Sequence, residues 1–208
     1  MTAGGRPRLL RVDPVAPDHT ALVAAAAVLR GGGVVAFPTE TFYGLGAAAR
    51  LAGAVRRVCT LKGRPEDKPV LLLVDGVAMA ESVAEVGAAA RALMARHWPG
   101  ALTLVLRARP DLPDEVTAGT GTVGVRLSPH PVARGLVAAL GEPVTAPSAN
   151  PSGREPPTSA ATVLAYFGDA LDAVLDGGTT PGGEPSTVLD LTATPPRLLR
   201  QGAVRVQW

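Results

Sequence analysis

The chain has 208 residues, of which 47% are hydrophobic and only 3% aromatic, so it fits one domain with a core of small aliphatic side chains. Its 20 basic and 18 acidic residues give a net charge of +2, far from the strong basic excess of duplex-binding proteins. The single cysteine, Cys59, excludes an internal disulfide and a cysteine-based metal cage.

The N-terminal segment has no features of a targeting signal. Residues 1–13 contain arginines but no apolar h-region, and the longest apolar run, 21–29, is too short to span a bilayer. We therefore expect a cytoplasmic protein with no membrane contact. Residues 1–208 are predicted to form a single domain with its core at about 18–204, and residues 1–12 are predicted to be a flexible lead-in.

Helices and strands are predicted to alternate along most of the chain. Asp18 is placed to cap the first helix, and Thr158 the last. The predicted helices span residues 18–30, 51–61, 78–86, 88–97, 131–140 and 158–167. The predicted strands span residues 34–37, 70–74, 102–106, 123–127, 144–146, 173–175, 187–191 and 198–199. The segments 38–46, 107–121 and 147–157 are predicted loops. This order predicts an α/β fold with one open twisted sheet, helices on both faces and ligand groups on the polar loops.

Both lysines of the chain, Lys62 and Lys68, lie within one seven-residue stretch, and all the other basic residues are arginines. A lysine ammonium is a compact point charge, which a site that contacts a phosphate oxygen at one point can require. We interpret residues 62–68 as an anion site. The alternative is a solvated turn in which two lysines survived by chance.

The familiar cofactor and nucleophile motifs are missing from the sequence. The glycine patterns at 44–49 and 119–124 lack the context of a dinucleotide-binding fingerprint, and neither lysine lies in a Walker-type loop. The histidines are too scattered for a metal site, and Ser148 fits no nucleophile elbow. No metal-ligating residues are predicted. Polar loops with hydroxyls and separate cations remain. Each alone is typical of turns and caps, but their number favours a functional site.

Seven short motifs, in order and spacing, are similar to those of the YrdC/Sua5 family over about residues 18–204. They are Pro38-Thr39-Glu40-Thr41-Phe42-Tyr43-Gly44-Leu45-Gly46, Lys62-Gly63-Arg64-Pro65, Trp98-Pro99-Gly100, Val125-Arg126, Ser148-Ala149-Asn150, Ser186-Thr187-Val188 and Leu199-Arg200-Gln201-Gly202. The chain resembles the short form of the family, without the C-terminal Sua5 extension. The resemblance implies a YrdC-like mixed sheet with a concave, positively charged cleft.

The resemblance also implies an activity. The expected reaction is nucleotidyl transfer that joins L-threonine, bicarbonate or CO2, and ATP into L-threonylcarbamoyladenylate and releases pyrophosphate, with Mg²⁺ carried on ATP. The product would serve threonylcarbamoyladenosine formation in tRNA. Transient contact with the downstream tRNA threonylcarbamoyl transferase complex and weak RNA binding are further expectations. Two alternatives stay open: an RNA-binding module, and a paralogue that transfers a carbamoyl group from another donor in the same cleft.

Site residues follow from the resemblance motif by motif. The expected catalytic residues are Lys62, Arg64, Ser148 and Asn150. The expected ATP contacts are Arg64, Lys68, Thr122, Ser148, Pro156 and Arg200, with Lys62 on the triphosphate. The expected threonine contacts are Thr41, Leu73, Arg126, Ala146 through its backbone, and Ser186. Some family members carry a histidine in the strand where this chain has only aliphatic residues, so Leu73 is expected to supply backbone or apolar contact there.

Overall fold

The computed structural model describes residues 6–64 and 68–207. Its helices are α1 (His19–Arg30), α2 (Ala52–Lys62), α3 (Val77–Glu81), α4 (Ala88–His97), α5 (Asp114–Thr117), α6 (Pro131–Leu140) and α7 (Ala160–Phe167), the last followed by a 3-10 turn at Gly168–Ala170. Its strands are β1 (Arg8–Arg11), β2 (Val35–Pro38), β3 (Tyr43–Gly46), β4 (Leu71–Leu73), β5 (Leu102–Arg107), β6 (Thr122–Arg126), β7 (Val144–Thr145), β8 (Ala173–Asp176), β9 (Thr187–Asp190) and β10 (Arg197–Arg200). Within this described part of the chain, no helix is both long and apolar enough to cross a membrane.

A four-stranded sheet, in the order β1-β8-β2-β3, forms one half of the domain. β8 runs parallel to both β1 and β2, and β2 pairs antiparallel with β3. Both faces are buried under helices. Leu29 of α1 and Leu136 of α6 pack with Phe37 on one face, whereas Val58 of α2 and Val163 of α7 belong to the cluster on the other. Buried strands of this kind have aliphatic residues on both sides, as residues 34–37 do.

A six-stranded sheet, in the order β10-β9-β5-β6-β4-β7, forms the other half. It is mixed, with parallel pairs β4/β6 and β5/β9 and antiparallel pairs β5/β6, β4/β7 and β9/β10. One face packs against α3 and α4 in a cluster that includes Leu104, Val125 and Met94. The isolated bridges Gly44–Ser148 and Ala48–Val144 join the two sheets beside β3 and β7.

The predicted α/β class with a mixed sheet and flanking helices is confirmed, and so is the cap of α1, where Asp18 Oδ1 accepts a hydrogen bond from Thr20 N at 3.2 Å. Two details differ. The strands divide into two sheets rather than one. Helices cover both faces of the four-stranded sheet, whereas they cover the second face of the six-stranded sheet only at its β4–β7 end. The cap of α7 is Ser159, whose Oγ accepts from Thr162 N at 3.2 Å, and not Thr158.

Several segments predicted to be irregular contain regular structure. The flexible lead-in was wrong for Arg8–Arg11, which pairs with β8 as an edge strand, whereas residues 1–5 lie outside the described residues. The predicted loop 38–46 contains β3, and the predicted loop 107–121 contains α5. The two glycines of β3 mask it in the sequence, but a Cβ on Gly46 would lie 2.9 Å from Phe37 Cε1 and 3.2 Å from Val35 O. The tight fit of β3 against β2 therefore requires glycine there.

Candidate active site

A cleft of about 1090 Å³ lies on the face of the six-stranded sheet opposite α3 and α4, beside the β2–β3 loop. Its floor follows from strand alternation, because residues two apart point to the same side of a strand. Thr122, Gly124 and Arg126 of β6 line the cleft, whereas Val123 and Val125 between them are buried in the core. The described residues that line it include the cations Lys62, Arg64, Lys68, Arg126, Arg197 and Arg200 and the carboxylate Asp190.

The structure brings nearly all the predicted site residues to this cleft. The lining residues include Thr41, Lys62, Arg64, Lys68, Thr122, Arg126, Ala146, Ser148, Asn150, Pro156, Ser186 and Arg200. Leu73 is not among them: its side chain is buried with Phe37 and Leu136 in the core under α1 and α6. Leu71 of the same strand lines the cleft instead. Residues 65–67, in the middle of the predicted anion site, lie outside the described residues.

Lys62 is the last residue of α2 and is bound to the loop that carries Ser148 and Asn150. Its Nζ donates to Ser148 O at 2.5 Å and to Asn150 O at 2.7 Å, and its own carbonyl accepts from Ser152 N at 2.7 Å. Gly63 takes the left-handed conformation, with φ of 55°, and ends the helix there. Burial of the ammonium, followed by the nearby Arg64 charge, lowers the pKa of Lys62 to about 8. A charged lysine thus organises the loop while it faces the cleft.

The side chain of Asn150 has one oxygen without a partner. Its Nδ2 donates to Pro151 O at 3.0 Å and to Arg154 O at 2.7 Å, which fixes the orientation of the amide. Oδ1 is buried and has no hydrogen-bond partner among the described residues. A buried acceptor without a partner is costly, so a donor from a ligand or its bound water would stabilise it.

Arg64 and Lys68 flank the segment 65–67. The Arg64 guanidinium donates to Lys68 O at 3.1 Å through Nε and to Pro69 O at 2.6 Å through Nη2. Lys68 is exposed at the rim, whereas Lys62 is only 5% exposed. The two lysines therefore differ in role: one is part of the loop structure, and the other is free to move with a ligand.

Arg126, at the end of β6, is a buried cation in the cleft wall. Its Nη1 lies 3.0 Å from Glu40 Oε1, and its side chain is 4% exposed. Burial lowers the pKa of Arg126, and the Glu40 charge opposes that shift. Its Nε is buried without a hydrogen-bond partner among the described residues. An arginine with an unused donor beside a cleft is well suited to bind a carboxylate.

Arg200 and Ser186 form a second polar group across the floor. Arg200 donates to Ser186 O at 2.9 Å through Nε and to Ser186 Oγ at 3.0 Å through Nη2. The Ser186 hydroxyl also shares a hydrogen bond of 2.9 Å with Thr103 Oγ1 of β5. Burial and then the Arg126 charge lower the pKa of Arg200. The two guanidinium groups therefore repel each other, and an anion between them would relieve that repulsion.

The β2–β3 loop supplies hydroxyl groups at the other wall. Thr39 Oγ1 donates to Phe42 O at 2.7 Å and lies 3.2 Å from Thr41 Oγ1. Thr41 O in turn accepts from Gly182 N at 2.8 Å, which ties the loop to the glycine-rich connection between β8 and β9. Tyr43 also lines the cleft and donates through its hydroxyl to Gly178 O at 2.6 Å.

The polar residues of this arrangement that were not predicted as site residues include Glu40, Tyr43, Thr103 and Asp190. Glu40 and Tyr43 lie inside the family motif at residues 38–46. Its sequence does not indicate which of its polar side chains contact the protein and which contact a ligand. Thr103 is a polar residue in an otherwise aliphatic strand, and this was the one available signal for it. Asp190 ends β9, and its carboxylate accepts from Thr192 and contacts Arg197.

Comparison with known proteins agrees with this geometry. The model of the Sua5, YciO and YrdC proteins, described as "Telomere recombination", matches residues 27–202. The chain belongs to the Sua5/YciO/YrdC family. Six of the seven motifs that carry the family resemblance contribute residues to the cleft, and Trp98-Pro99-Gly100 does not.

Relatives in this family include two threonylcarbamoyl-AMP synthases. The one from Bacillus subtilis (strain 168) is 43% identical over 196 residues, which cover 92% of this chain and 56% of the relative. The one from Halorhodospira halophila (strain DSM 244 / SL1) is 41% identical over 167 residues, which cover 80% of this chain and 87% of the relative. The chain thus spans little more than half of the B. subtilis protein.

Among solved structures of the family, Sua5 of P. abyssi complexed with L-threonine superposes with a TM-score of 0.90. It is 42% identical, and the match covers 93% of this chain and 57% of that protein. The overall fold is therefore shared with a member of the family whose structure contains L-threonine.

Proposed function

We propose that this protein synthesises L-threonylcarbamoyladenylate from L-threonine, bicarbonate or CO2, and ATP, with release of pyrophosphate. The observation that carries the proposal is the meeting of Lys62, Arg64, Ser148 and Arg200, from distant segments, around one cleft. The synthases of the same family support the substrates. In chemical class the protein would be a nucleotidyltransferase.

The ATP half of the cleft is assigned to the side of two of the family motifs, Lys62-Gly63-Arg64-Pro65 and Ser148-Ala149-Asn150, which we call the signature motifs. Arg64, Lys68 and Arg200 would neutralise phosphate charge, and Lys62 and Ser148 would contact the triphosphate from the loop that they share. Partly exposed Leu71, Val105 and Val188 on the floor give an apolar surface for a base or a methyl group. Thr122 and Pro156 complete the nucleotide contacts in this proposal.

The threonine half is assigned to the opposite wall. Arg126 would bind the α-carboxylate, because its Nε is an unused buried donor. Thr41 and Ser186 would bind the amino acid with their hydroxyls. Ala146 N already donates to Leu71 O at 2.8 Å, so Ala146 would contribute its carbonyl. The buried position of Leu73 removes its side chain from this set.

In the proposed chemistry, the neutral amine of threonine forms an N–C bond with CO2 and loses a proton to give a carbamate. A carbamate oxygen then attacks the α-phosphorus, the bond to the bridging oxygen breaks, and pyrophosphate leaves with the electron pair. The cations of the cleft stabilise the charge that develops on the phosphate oxygens. ATP would enter as its Mg²⁺ complex, and Asn150 Oδ1 is the unpaired oxygen that would accept from a water on that ion.

The test is turnover by the purified protein with ATP, L-threonine and bicarbonate. We expect threonine-dependent pyrophosphate release and a product with the mass of threonylcarbamoyl-AMP. Pyrophosphate release that needs another carbamoyl donor would favour the paralogue, and RNA binding without turnover would favour the RNA-binding module. Delivery of the product to a tRNA threonylcarbamoyl transferase complex in the cytoplasm belongs to the same proposal.

A further inference from the structure

Glu40 lies between two cleft residues without lining the cleft itself. Thr39 and Thr41 on either side contribute to the wall, whereas Glu40 is directed behind it. Its carboxylate meets two groups of the β6–α6 segment: Oε1 lies 3.0 Å from Arg126 Nη1, and Oε2 accepts a hydrogen bond from Ser128 Oγ. Glu40 thus contacts the residue that faces the ligand rather than the ligand.

Ser128 gives Glu40 a fixed second anchor. Its Oγ accepts a hydrogen bond from His130 N at 3.2 Å while it donates to Glu40. His130 in turn caps α6, where its Nδ1 accepts from Val132 N at 3.2 Å. The carboxylate is therefore attached through Ser128 to the start of a helix, and it cannot follow Arg126 if that side chain moves.

The contact leaves a specific donor of Arg126 unused. Nη1 forms an ion pair with Glu40 Oε1 at 3.0 Å that lacks hydrogen-bond geometry, since Oε1 is buried without a hydrogen-bond partner among the described residues. Nε, on a different edge of the planar fork, is also buried without a partner among those residues. Because a guanidinium binds a carboxylate through two donors in one plane, rotation of the group would abolish that geometry. Holding Nη1 in place sets the direction of the remaining donors.

Glu40 also supplies the negative charge beside the buried Arg126, which has a second and exposed arginine, Arg200, nearby. Arg200 is close enough to Arg126 for the charge of one to act on the other. The side chain of Glu40 is 15% exposed, so solvent screens its charge only weakly. Without this carboxylate, the empty cleft would hold the buried Arg126 guanidinium with no counter-charge beside it and with the like charge of Arg200 nearby.

We propose that Glu40 is a positioning residue, held by Ser128, that balances the charge of the buried Arg126 guanidinium and directs its free donor edge at the carboxylate of the amino-acid substrate. The identity of that substrate rests on the proposed function. The orientation of Arg126 by Glu40 does not, because the contact is present without ligand.

The test uses Glu40→Gln, which keeps the shape of the side chain and removes its charge. In the kinetic assay we expect the KM for threonine to rise at least about tenfold, the equivalent of about 1.4 kcal/mol, with the KM for ATP nearly unchanged. Ser128→Ala should move the threonine KM in the same direction by a smaller factor. Glu40→Asp, which keeps the charge, should recover part of the loss.

A second measurement is independent of turnover. In ¹⁵N-labelled protein without ligand, the Arg126 Nε–H signal, assigned by its loss in Arg126→Lys, should be sharp because the group is buried. We expect Glu40→Gln to broaden that signal through exchange with water. Glu85→Gln is the matched control, since Glu85 is exposed and away from the cleft. It should change neither the Arg126 Nε–H signal nor the KM for threonine.

The outcomes separate the two proposals. A wild-type protein without threonine-dependent turnover would remove the proposed function, and the nitrogen signal would still test Glu40. An unchanged signal in Glu40→Gln, or equal increases in the KM values for threonine and ATP, would overturn the positioning role.

Discussion

The side-chain ammonium of Lys62 donates a hydrogen bond of 2.7 Å to the main-chain carbonyl of Asn150, 88 residues further along the chain. This contact joins the two signature motifs of the family into one structural unit. The lysine is therefore required for the shape of the 148–150 loop as well as for its charge.

Replacement of Lys62 by alanine should remove both contributions. We expect kcat/KM to fall by at least about a hundredfold, the loss typical of one essential donor at a charged centre, while the circular dichroism spectrum keeps its α/β shape. Lys68→Ala is the control, because Lys68 is exposed, and it should raise the KM for ATP by less than about tenfold. Equal losses in the two variants would contradict the separate roles.

The ionisation of Lys62 predicts opposite pH trends for stability and for ATP binding. The pKa is lowered from 10.5 to about 8, so between these values the unfolded chain holds a proton that the folded chain has lost. This group therefore makes the free energy of unfolding increase with pH in that window. The KM for ATP should rise over the same range, because a neutral amine attracts phosphate less. Lys62→Met should lack both trends, as measured by thermal unfolding and kinetics. If the wild-type protein showed the same pH dependence as Lys62→Met in both quantities, the lowered pKa would be contradicted.

Arg126→Ala should act on threonine rather than on ATP. Loss of the buried arginine that binds the substrate carboxylate should raise the KM for threonine by at least about a hundredfold, with a much smaller change in the KM for ATP. Isothermal calorimetry with threonine alone gives the affinity directly. Full activity in this variant would show that another group binds the carboxylate.

The hydroxyl contact between Thr103 and Ser186 predicts a milder effect. Thr103→Val removes Oγ1, which lies 2.9 Å from Ser186 Oγ, and leaves a buried hydroxyl with Arg200 as its remaining partner. We expect the free energy of unfolding to fall by about 1–2 kcal/mol and the KM for threonine to rise severalfold. Thr103→Ser keeps the hydroxyl and should restore the KM, as measured by urea unfolding and kinetics. An unchanged free energy of unfolding and an unchanged KM for threonine in Thr103→Val would exclude a polar role for the Thr103 hydroxyl.

Glycine at position 202 is required by close packing of the C-terminal segment. A Cβ there would lie 2.1 Å from Pro185 O and 2.7 Å from the Ser186 carbonyl carbon, so Gly202→Ala must displace the backbone beside a site residue. We expect a loss of about 1–3 kcal/mol in unfolding free energy. Gly53→Ala in α2, where no atom lies within 4 Å of the added Cβ, should instead stabilise by about 0.5–1 kcal/mol. If Gly202→Ala and Gly53→Ala had similar unfolding midpoints, the close packing around Gly202 would be contradicted.

Motif order was enough to predict which segments would meet, but not every side chain that would face the cleft. Lys62, Ser148 and Arg200 reach it because the motifs mark loop and strand ends. Leu73 does not, although it points to the same side of β4 as Leu71, because it lies further along the strand and packs under α6. A uniformly aliphatic run such as 70–74 carries no signal of where the cleft ends and the core begins.

The features that the sequence did not predict depend on contacts between distant segments of the chain. Glu40 pairs with Arg126 only through tertiary structure, so its place behind the wall was beyond sequence reasoning. The edge strand β1 is similar: Arg8–Arg11 is too short and too polar to predict alone, and it depends on its parallel partner β8.

The six-stranded sheet is covered by helices on one face, and on the other face only at the β4–β7 end. The open part of that second face carries partly exposed Leu71, Val105 and Val188. On the proposed function, nucleotide and amino acid serve as the missing packing layer, so occupancy and resistance to unfolding rise together. When the supply of ATP in a cell drops, the vacant molecules would be the first to open and the first to meet proteases.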